Sequence, residues 1–248
     1  MADKQHPGLL RTLCLLVLSA TPVLGQQVAT ETGSGRFIET TIQAPSLAGN
    51  LLGDPTEQPI SLYLPPSYDV SPSKRYPVVY LLHGFTGTNR TWMVNTKPEV
   101  GEPLLGSTDR EYSHRGYLDG WRLDEMIVAG KIREMIVVAP NSRNAYKHSY
   151  YVNSVATGNW EDYIVRDVVD YIDGNYRTLP QASSRGLAGY SGGGYGSKYI
   201  GMKHPDVFSS VFALAPCCLG PQFSMPPVTD SSTGELTAFW QKEFSRLL

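Results

Sequence analysis

Cysteine is scarce in this chain, and its pattern excludes a framework of disulfides. Of the three cysteines among 248 residues, Cys14 lies in an apolar N-terminal run, whereas Cys217 and Cys218 are neighbours. Neighbouring cysteines bridge each other only with strain. We therefore predict that Cys217 and Cys218 are small buried residues at the end of a strand. No group of Cys and His residues has the spacing of metal ligands, so no metal site is expected.

An excess of charge of one sign is also missing. The formal net charge is −2, and hydrophobic residues make up 41% of the chain. These values are typical of a globular protein with one sizeable core, and they argue against a nucleic-acid partner. The sequence contains neither a P-loop nor a dinucleotide fingerprint followed by an acidic residue. We therefore expect no cofactor.

Long hydrophobic runs are absent after the N-terminus. Residues 1–25 combine early positive charge, a short apolar run and small residues at the end, a pattern typical of a secretory signal peptide. The run is too short for a stable membrane span. We predict a loose segment at 26–35 and a single domain at 36–248. The protein is then secreted or periplasmic; the alternative is that residues 1–25 form a buried helix.

What is present is an alternation of strand and helix patterns. Strands are predicted at 36–43, 60–64, 77–82, 135–139, 184–188 and 207–214. Helices are predicted at 123–129, 160–176, 192–202 and 233–248, with Asn159 as the cap of the second. Continuous apolar strands that alternate with helices indicate an α/β fold, with a mostly parallel sheet and helices on both faces.

Two long polar loops, at 88–120 and 141–158, interrupt this alternation. Loops of this length often line a site. Aromatic residues lie on or beside them: Trp92, Tyr112, Trp121, Tyr146, Tyr150 and Tyr151. These side chains either face an aromatic acyl group or a sugar, or pack the loops against the domain.

The sequence Gly189-Tyr-Ser-Gly-Gly193 has the G-x-S-x-G pattern, and it follows a strand and precedes a helix. That setting is typical of a nucleophile elbow, in which a strained turn presents Ser191 above the sheet. The alternative is a glycine-rich turn that only reverses the chain. In an elbow the oxyanion would be held by the backbone N–H groups of Gly192 and Phe85. We interpret His83 as a packed turn residue.

Several segments carry a resemblance to a known family. They are Leu62-Tyr-Leu-Pro-Pro-Ser-Tyr-Asp69, Arg75-Tyr-Pro-Val-Val-Tyr-Leu-Leu-His-Gly84, Asn159-Trp-Glu-Asp-Tyr163, Tyr171-Ile-Asp-Gly-Asn-Tyr-Arg-Thr178, Ala188-Gly-Tyr-Ser-Gly-Gly-Gly-Tyr-Gly196 and His204-Pro-Asp-Val-Phe208. In this order they resemble the esterase D family of α/β-hydrolases, whose members include feruloyl and acetyl-xylan esterases, S-formylglutathione hydrolases and mycolyltransferases. The resemblance implies an α/β-hydrolase fold and an acyl-enzyme on Ser191, with Phe85 and Gly192 as oxyanion donors.

Histidine is the most informative shortage. In this fold the triad follows the order Ser, acid, His, yet only His204 comes after Ser191. A helix between them would separate the two by roughly 20 Å, whereas a base must lie within about 3 Å. His114 and His148 lie on the long loops, but they precede the serine and would require an unrelated triad order.

The acids after Ser191 are Asp206, Asp230, Glu235 and Glu243. Asp230 lies in a loop and could be offered as the triad acid. A triad acid acts by orienting the histidine, and no histidine follows Asp230. We therefore expect that the domain at 36–248 is truncated and that the last strands of the sheet, the triad acid and the histidine lie beyond Leu248. On this expectation the chain as it stands retains only residual catalysis.

The leading functional prediction is a secreted serine carboxylic-ester hydrolase that acts on a small-molecule or polysaccharide-linked ester. Acyl transfer to a sugar or lipid alcohol shares the same acyl-enzyme. A serine peptidase of similar fold and a non-catalytic binding protein on a degenerate hydrolase scaffold are the further alternatives.

Overall fold

A computed structural model describes residues 34–94 and 118–219. The strands are β1 Arg36–Gln43, β2 Glu57–Leu64, β3 Val78–Leu82, β4 Met93–Val94, β5 Leu118–Asp119, β6 Ile136–Pro140, β7 Asn153–Ser154, β8 Gly158–Asn159, β9 Arg185–Tyr190 and β10 Ser210–Leu214. The helices are α1 Gly120–Val128, α2 Trp160–Asp162, α3 Val169–Asn175 and α4 Gly192–Lys203. A π-helical segment, Tyr163–Val168, joins α2 to α3 without a break.

Six strands form the central sheet in the order β1-β2-β6-β3-β9-β10. The pairs β6–β3, β3–β9 and β9–β10 are parallel, whereas β1–β2 and β2–β6 are antiparallel. The carboxyl ends of the four parallel strands therefore meet at one edge of the sheet. The segments that follow β3, β6, β9 and β10 all begin there.

Both faces of the sheet are covered, because consecutive strand residues point to opposite sides. On one face Leu62 and Val138 belong to a large core that also contains Trp160 and Ile172 from the helices after β8. On the other face Val137 and Ala139 pack in a smaller core with Leu123 of α1. The fold is α/β with a mostly parallel sheet and helices on both faces, as the alternation predicts.

One local prediction is wrong. Asn159 makes no capping hydrogen bond at the start of α2. Instead the Asn153 Oδ1 atom accepts hydrogen bonds from the backbone N–H groups of Glu161 and Asp162, at 3.0 and 3.1 Å. The antiparallel pair β7–β8 brings Asn153 beside Asn159 and so to the helix start. The cap therefore comes from a residue across a hairpin.

Some predictions lie outside the described residues, namely the signal peptide at 1–25, most of the loose segment at 26–35, most of the loop at 88–120 and the helix at 233–248. Within residues 34–94 and 118–219, no helix is long and apolar enough to cross a membrane. In the same ranges, no three His, Cys, Asp or Glu side chains are grouped as a metal ion would need.

Candidate active site

Ser191 lies between β9 and α4, at the carboxyl edge of the sheet. Its backbone φ is +55° and its ψ is −116°, a conformation that residues with a side chain rarely adopt. The Ser191 N–H donates to the Leu214 carbonyl at 3.0 Å, and the Ser191 carbonyl accepts from the Tyr195 N–H at 3.0 Å. The hydroxyl makes no capping hydrogen bond to α4. The sheet and helix thus hold a strained serine by its backbone.

The glycines of the motif are required by close backbone approach. A Cβ atom on Gly193 would lie 1.9 Å from the Leu82 carbonyl oxygen at the end of β3. A Cβ atom on Gly189 would lie 2.3 Å from the Gly193 carbonyl oxygen. Any side chain at either position would push the elbow away from the central strand. The glycines of the G-x-S-x-G pattern therefore allow the start of α4 to pack directly against the ends of β3 and β9.

The loop after β3 comes equally close to the serine. A Cβ atom on Gly84 would lie 3.4 Å from the Ser191 Cβ and 3.8 Å from the Gly192 nitrogen. The loop turns back through a hydrogen bond from the Gly87 N–H to the Gly84 carbonyl at 3.0 Å. Phe85 lies inside this turn. The structure thus places Gly84, the residue before Phe85, against Ser191 and Gly192.

His83 is fully buried directly before this turn. Its Nε2 atom accepts a hydrogen bond from the Ser142 N–H at 2.8 Å, and its Nδ1 atom lies 2.9 Å from the Gly84 carbonyl, to which it donates. Burial, aided by His148 nearby, lowers the pKa of His83 to about 3. With both nitrogens bonded to backbone and the ring uncharged, His83 positions the loop and is not placed to take a proton.

The His148 ring packs against Gly192, the residue after the serine. A Cβ atom on Gly192 would lie 2.7 Å from the His148 Cε1 atom. However, the Nδ1 atom of His148 accepts from the Tyr150 N–H at 2.9 Å, and its Nε2 atom donates to the His83 carbonyl at 3.0 Å. Burial lowers the pKa of His148 to about 4. Because its lone pair is already bonded, His148 does not serve as a base in this arrangement.

His204 caps the far end of α4, twelve helical residues from the serine. That length is about 18 Å. Its Nε2 atom lies 2.7 Å from a carboxylate oxygen of Glu161, which also accepts from Lys203 and from the Tyr199 hydroxyl. His204 is therefore part of a charged cluster that joins α2 to α4. None of the three histidines in the described part of the chain is placed to accept the Ser191 proton.

The described aromatic residues of the two loops differ in burial: Tyr151 is buried, whereas the others are partly exposed. Tyr151 is fully buried, and its hydroxyl donates to the His83 carbonyl at 2.8 Å. Tyr150 is partly buried beside the Tyr195 ring, with 6.4 Å between the ring centroids. Trp92 and Tyr146 are partly buried. His114, Tyr112, the Trp121 side chain, Asp230, Glu235 and Glu243 lie outside what the structure describes.

Two further residues, Cys217 and Tyr195, lie at the candidate site and are not predicted there from the sequence. The Cys217 N–H donates to the Ser191 carbonyl at 3.2 Å, so the segment after β10 also supports the elbow. Tyr195 lies one turn into α4 and faces Tyr150. The only signal for either was position: Cys217 closely follows a strand end, and Tyr195 lies four residues after the serine.

The chain is similar in sequence to known esterases. A family model described as "Putative esterase" matches residues 55–246. An esterase of Mycobacterium tuberculosis is 30% identical over 152 residues, which are 61% of this chain and 27% of that protein. An endo-1,4-beta-xylanase/feruloyl esterase of Xylanibacter ruminicola is 28% identical over 155 residues, which are 61% of this chain and 18% of that protein. The chain thus spans less than a third of these curated relatives.

Solved structures show the same fold. A ferulic acid esterase superposes with a TM-score of 0.59 and 23% identity, covering 80% of this chain and 65% of that one. A fluorophosphonate-binding serine hydrolase of Staphylococcus aureus superposes with a TM-score of 0.51 and 20% identity, covering 74% of this chain and 58% of that one. The architecture is that of the α/β-hydrolases.

Proposed function

Because the chain belongs to the Putative esterase family, we propose that it is a carboxylic-ester hydrolase in which Ser191 is the nucleophile. The observation that carries this proposal is the positive φ of Ser191 between β9 and α4. Strain of this kind persists only where the surrounding structure enforces it, and here two backbone strands and α4 enforce it. A turn that only reversed the chain would be formed more easily with glycine at this position.

In this proposal the Ser191 oxygen attacks the ester carbonyl, and the carbonyl oxygen becomes an oxyanion. The N–H groups of Phe85 and Gly192 then donate to it. Support comes from the Gly84 approach to both Ser191 and Gly192, which places the loop after β3 against the start of α4. The positive end of the α4 dipole adds to the stabilisation of the developing charge.

Collapse of the oxyanion expels the alcohol and leaves an acyl group on Ser191. Water then releases the acid, and a sugar or lipid alcohol in its place would make the protein an acyltransferase. Both steps need a base. We propose that the base lies outside the described residues, at His114 or in a longer form of the chain, since His83, His148 and His204 are all bonded elsewhere.

We further propose an aromatic acyl group as substrate and secretion as the route taken by the chain. Tyr150 and Tyr195 offer aromatic surface at the carboxyl edge of the sheet, and one relative is named as a feruloyl esterase. Comparing methyl ferulate with methyl acetate tests the acyl group. N-terminal sequencing of protein exported from its native host tests cleavage near residue 25.

The decisive experiment is reaction with a fluorophosphonate probe, read by mass spectrometry of the labelled peptide. We expect the probe on Ser191 in the wild type and none on Ser191→Ala. Ser210→Ala is the matched control. Ser210 is exposed and begins β10, whereas the contact with Ser191 is made by Leu214 at the other end of that strand. Hydrolysis of p-nitrophenyl acetate is measured alongside; with His114 as the base, we expect a loss of at least about a thousand-fold in Ser191→Ala.

A non-catalytic binding protein is the second candidate, and the observation in its favour is that no described histidine reaches Ser191. The same experiment separates the two. If neither the wild type nor Ser191→Ala reacts with the probe or hydrolyses any ester, the hydrolase proposal fails for this chain. If both variants bind a feruloyl ester equally, the binding function is favoured.

A further inference from the structure

Cys217 and Cys218 lie directly beside the elbow, in the segment that follows β10. Their sulfur atoms are 2.7 Å apart, and the Cys218 thiol donates toward the Cys217 sulfur. Both are free thiols, and both are partly exposed, so small solutes reach them. A disulfide bond is about 2.05 Å long, so closure would need only a small movement. The prediction of two inert buried residues at a strand end does not account for this contact.

The backbone of this pair is joined to the backbone of Ser191. The Cys217 N–H donates to the Ser191 carbonyl at 3.2 Å, and the Leu214 carbonyl accepts from the Ser191 N–H at 3.0 Å. These two bonds hold Ser191 from both sides. A change in the Cys217 peptide orientation is therefore transmitted to the serine without passing through any side chain.

Backbone strain is concentrated in the same segment. Cys218 has a φ of +64° and Ala215 a φ of +41°, both in the left-handed region. The Cα atoms of adjacent residues are fixed about 3.8 Å apart, below the range of about 4.4–6.8 Å that disulfides prefer. A bridge between these residues would therefore be strained and easily reduced, which is characteristic of labile rather than structural disulfides.

We propose that Cys217 and Cys218 form a reversible dithiol–disulfide site that couples thiol oxidation to the backbone bearing Ser191. The oxidant is a low-molecular-weight disulfide. The Cys217 thiolate attacks one sulfur of that disulfide and releases the other as a thiolate. Cys218 then attacks the Cys217 sulfur and releases the second thiolate. The protein loses two protons and two electrons, and the small disulfide is reduced to two thiols.

The test is thiol titration of the full chain carrying Cys14→Ser, which removes the third cysteine. The protein is equilibrated in mixtures of reduced and oxidised glutathione, alkylated and analysed by peptide mass spectrometry. We expect the peptide containing both residues to lose two hydrogen atoms and both alkylation sites, and dithiothreitol to restore them. Because of the strain, the midpoint should fall at more oxidising mixtures than those that oxidise an ordinary structural disulfide.

Cys217→Ser and Cys218→Ser are the matched controls, because each leaves one thiol that cannot bridge within the chain. We expect each variant to gain one glutathione where the parent forms its bridge. Full alkylation of the parent under every mixture, addition of glutathione without bridging, or a disulfide between two chains would each overturn the proposal.

The coupling has its own readout, hydrogen exchange of the peptide around Ser191 in the oxidised and reduced forms. We expect exchange at residues 190–194 to change on oxidation, while exchange in β2 stays the same. Identical exchange in both forms would overturn the coupling. Neither readout depends on ester hydrolysis, so these results and those on the proposed function are independent.

Discussion

The two ends of helix α4 stabilise their surroundings by opposite means. At the start of the helix, next to Ser191, the buried His83 and His148 are uncharged and bonded to backbone groups. At the other end, His204 joins Lys203 and the Tyr199 hydroxyl on the carboxylate of Glu161. The same residue type thus supports a neutral, backbone-built region at one end and an ionic cluster at the other.

This difference teaches where charge is tolerated around the candidate site. A charged imidazole beneath Gly192 would face a desolvated pocket, with its acceptor nitrogen already bonded to the Tyr150 N–H. Glu161 tolerates its charge because its oxygens accept several hydrogen bonds. Burial alone would raise its pKa, but Lys203, His204 and Tyr199 together hold that pKa below its ordinary value. The two buried histidines therefore make the fold sensitive to mild acid, whereas the Glu161 carboxylate is protonated only at lower pH.

The largest expected effect comes from breaking the start of α4. Gly193→Ala should cost more than about 3 kcal/mol of unfolding free energy, because its methyl group meets the Leu82 carbonyl oxygen at 1.9 Å. Gly174→Ala in α3 is the matched control, since nothing lies within 4 Å of its new methyl group. There we expect a gain of up to about 1 kcal/mol. Urea unfolding followed by circular dichroism measures both, and equal effects would contradict the packing argument.

Acidification should separate the two ends next. His83 and His148, with pKa values of about 3 and about 4, stay neutral in the folded chain, whereas they take up protons near pH 6.5 once unfolded. The unfolded state then binds more protons, so stability falls as pH drops below 6.5. We expect a loss of about 1.6 kcal/mol for each histidine between pH 6.5 and pH 5.

The measurement is urea unfolding at both pH values in wild type and in His148→Gln, whose loss should be smaller by one histidine's share. Glu161 contributes nothing to this window. Its lowered pKa means that its stabilisation is present above the ordinary glutamate range and is lost only as pH falls through the lower value in the folded chain. An unchanged slope in His148→Gln would show that the acid sensitivity arises elsewhere.

Removing the charge at the far end should have an intermediate effect. Glu161→Gln removes the charge of a buried carboxylate that accepts hydrogen bonds from Lys203, His204 and Tyr199, with an expected loss of about 1–3 kcal/mol at pH 7. Asp69→Asn is the control, because it breaks the Arg36–Asp69 pair, in which both side chains are exposed. The fluorophosphonate reaction of Ser191 should be unchanged in Glu161→Gln. A slower reaction would mean that the two ends are coupled.

The smallest effect is expected from Tyr151→Phe. The substitution removes one hydrogen bond to the His83 carbonyl while the ring stays packed against Gly196. About 1 kcal/mol of stability should be lost. Tyr163→Phe is the control, because no described partner bonds the Tyr163 hydroxyl. Thermal unfolding compares the two, and a greater loss in the control would contradict this assignment.

The sequence predicts the parts of the site that depend on neighbours along the chain. The strand, turn and helix around Ser191 follow from a local glycine pattern. The succession of strands and helices along the chain follows from the alternation of their hydrophobic patterns. The position of His148 beneath Gly192 does not, because it depends on packing between residues 44 positions apart. The Asn153 cap depends on the β7–β8 hairpin, and the Cys217–Ser191 hydrogen bond depends on β10 lying beside β9. Neither follows from local propensity.

The strain at Ser191 also has a consequence for which residue at position 191 gives the most stable fold. Glycine at position 191 would relieve the positive φ and would leave the backbone bonds of the elbow in place. The Cβ atom at this position therefore lowers the stability of the fold, and a chain carrying Ser191→Gly is expected to have a larger free energy of unfolding than the wild type.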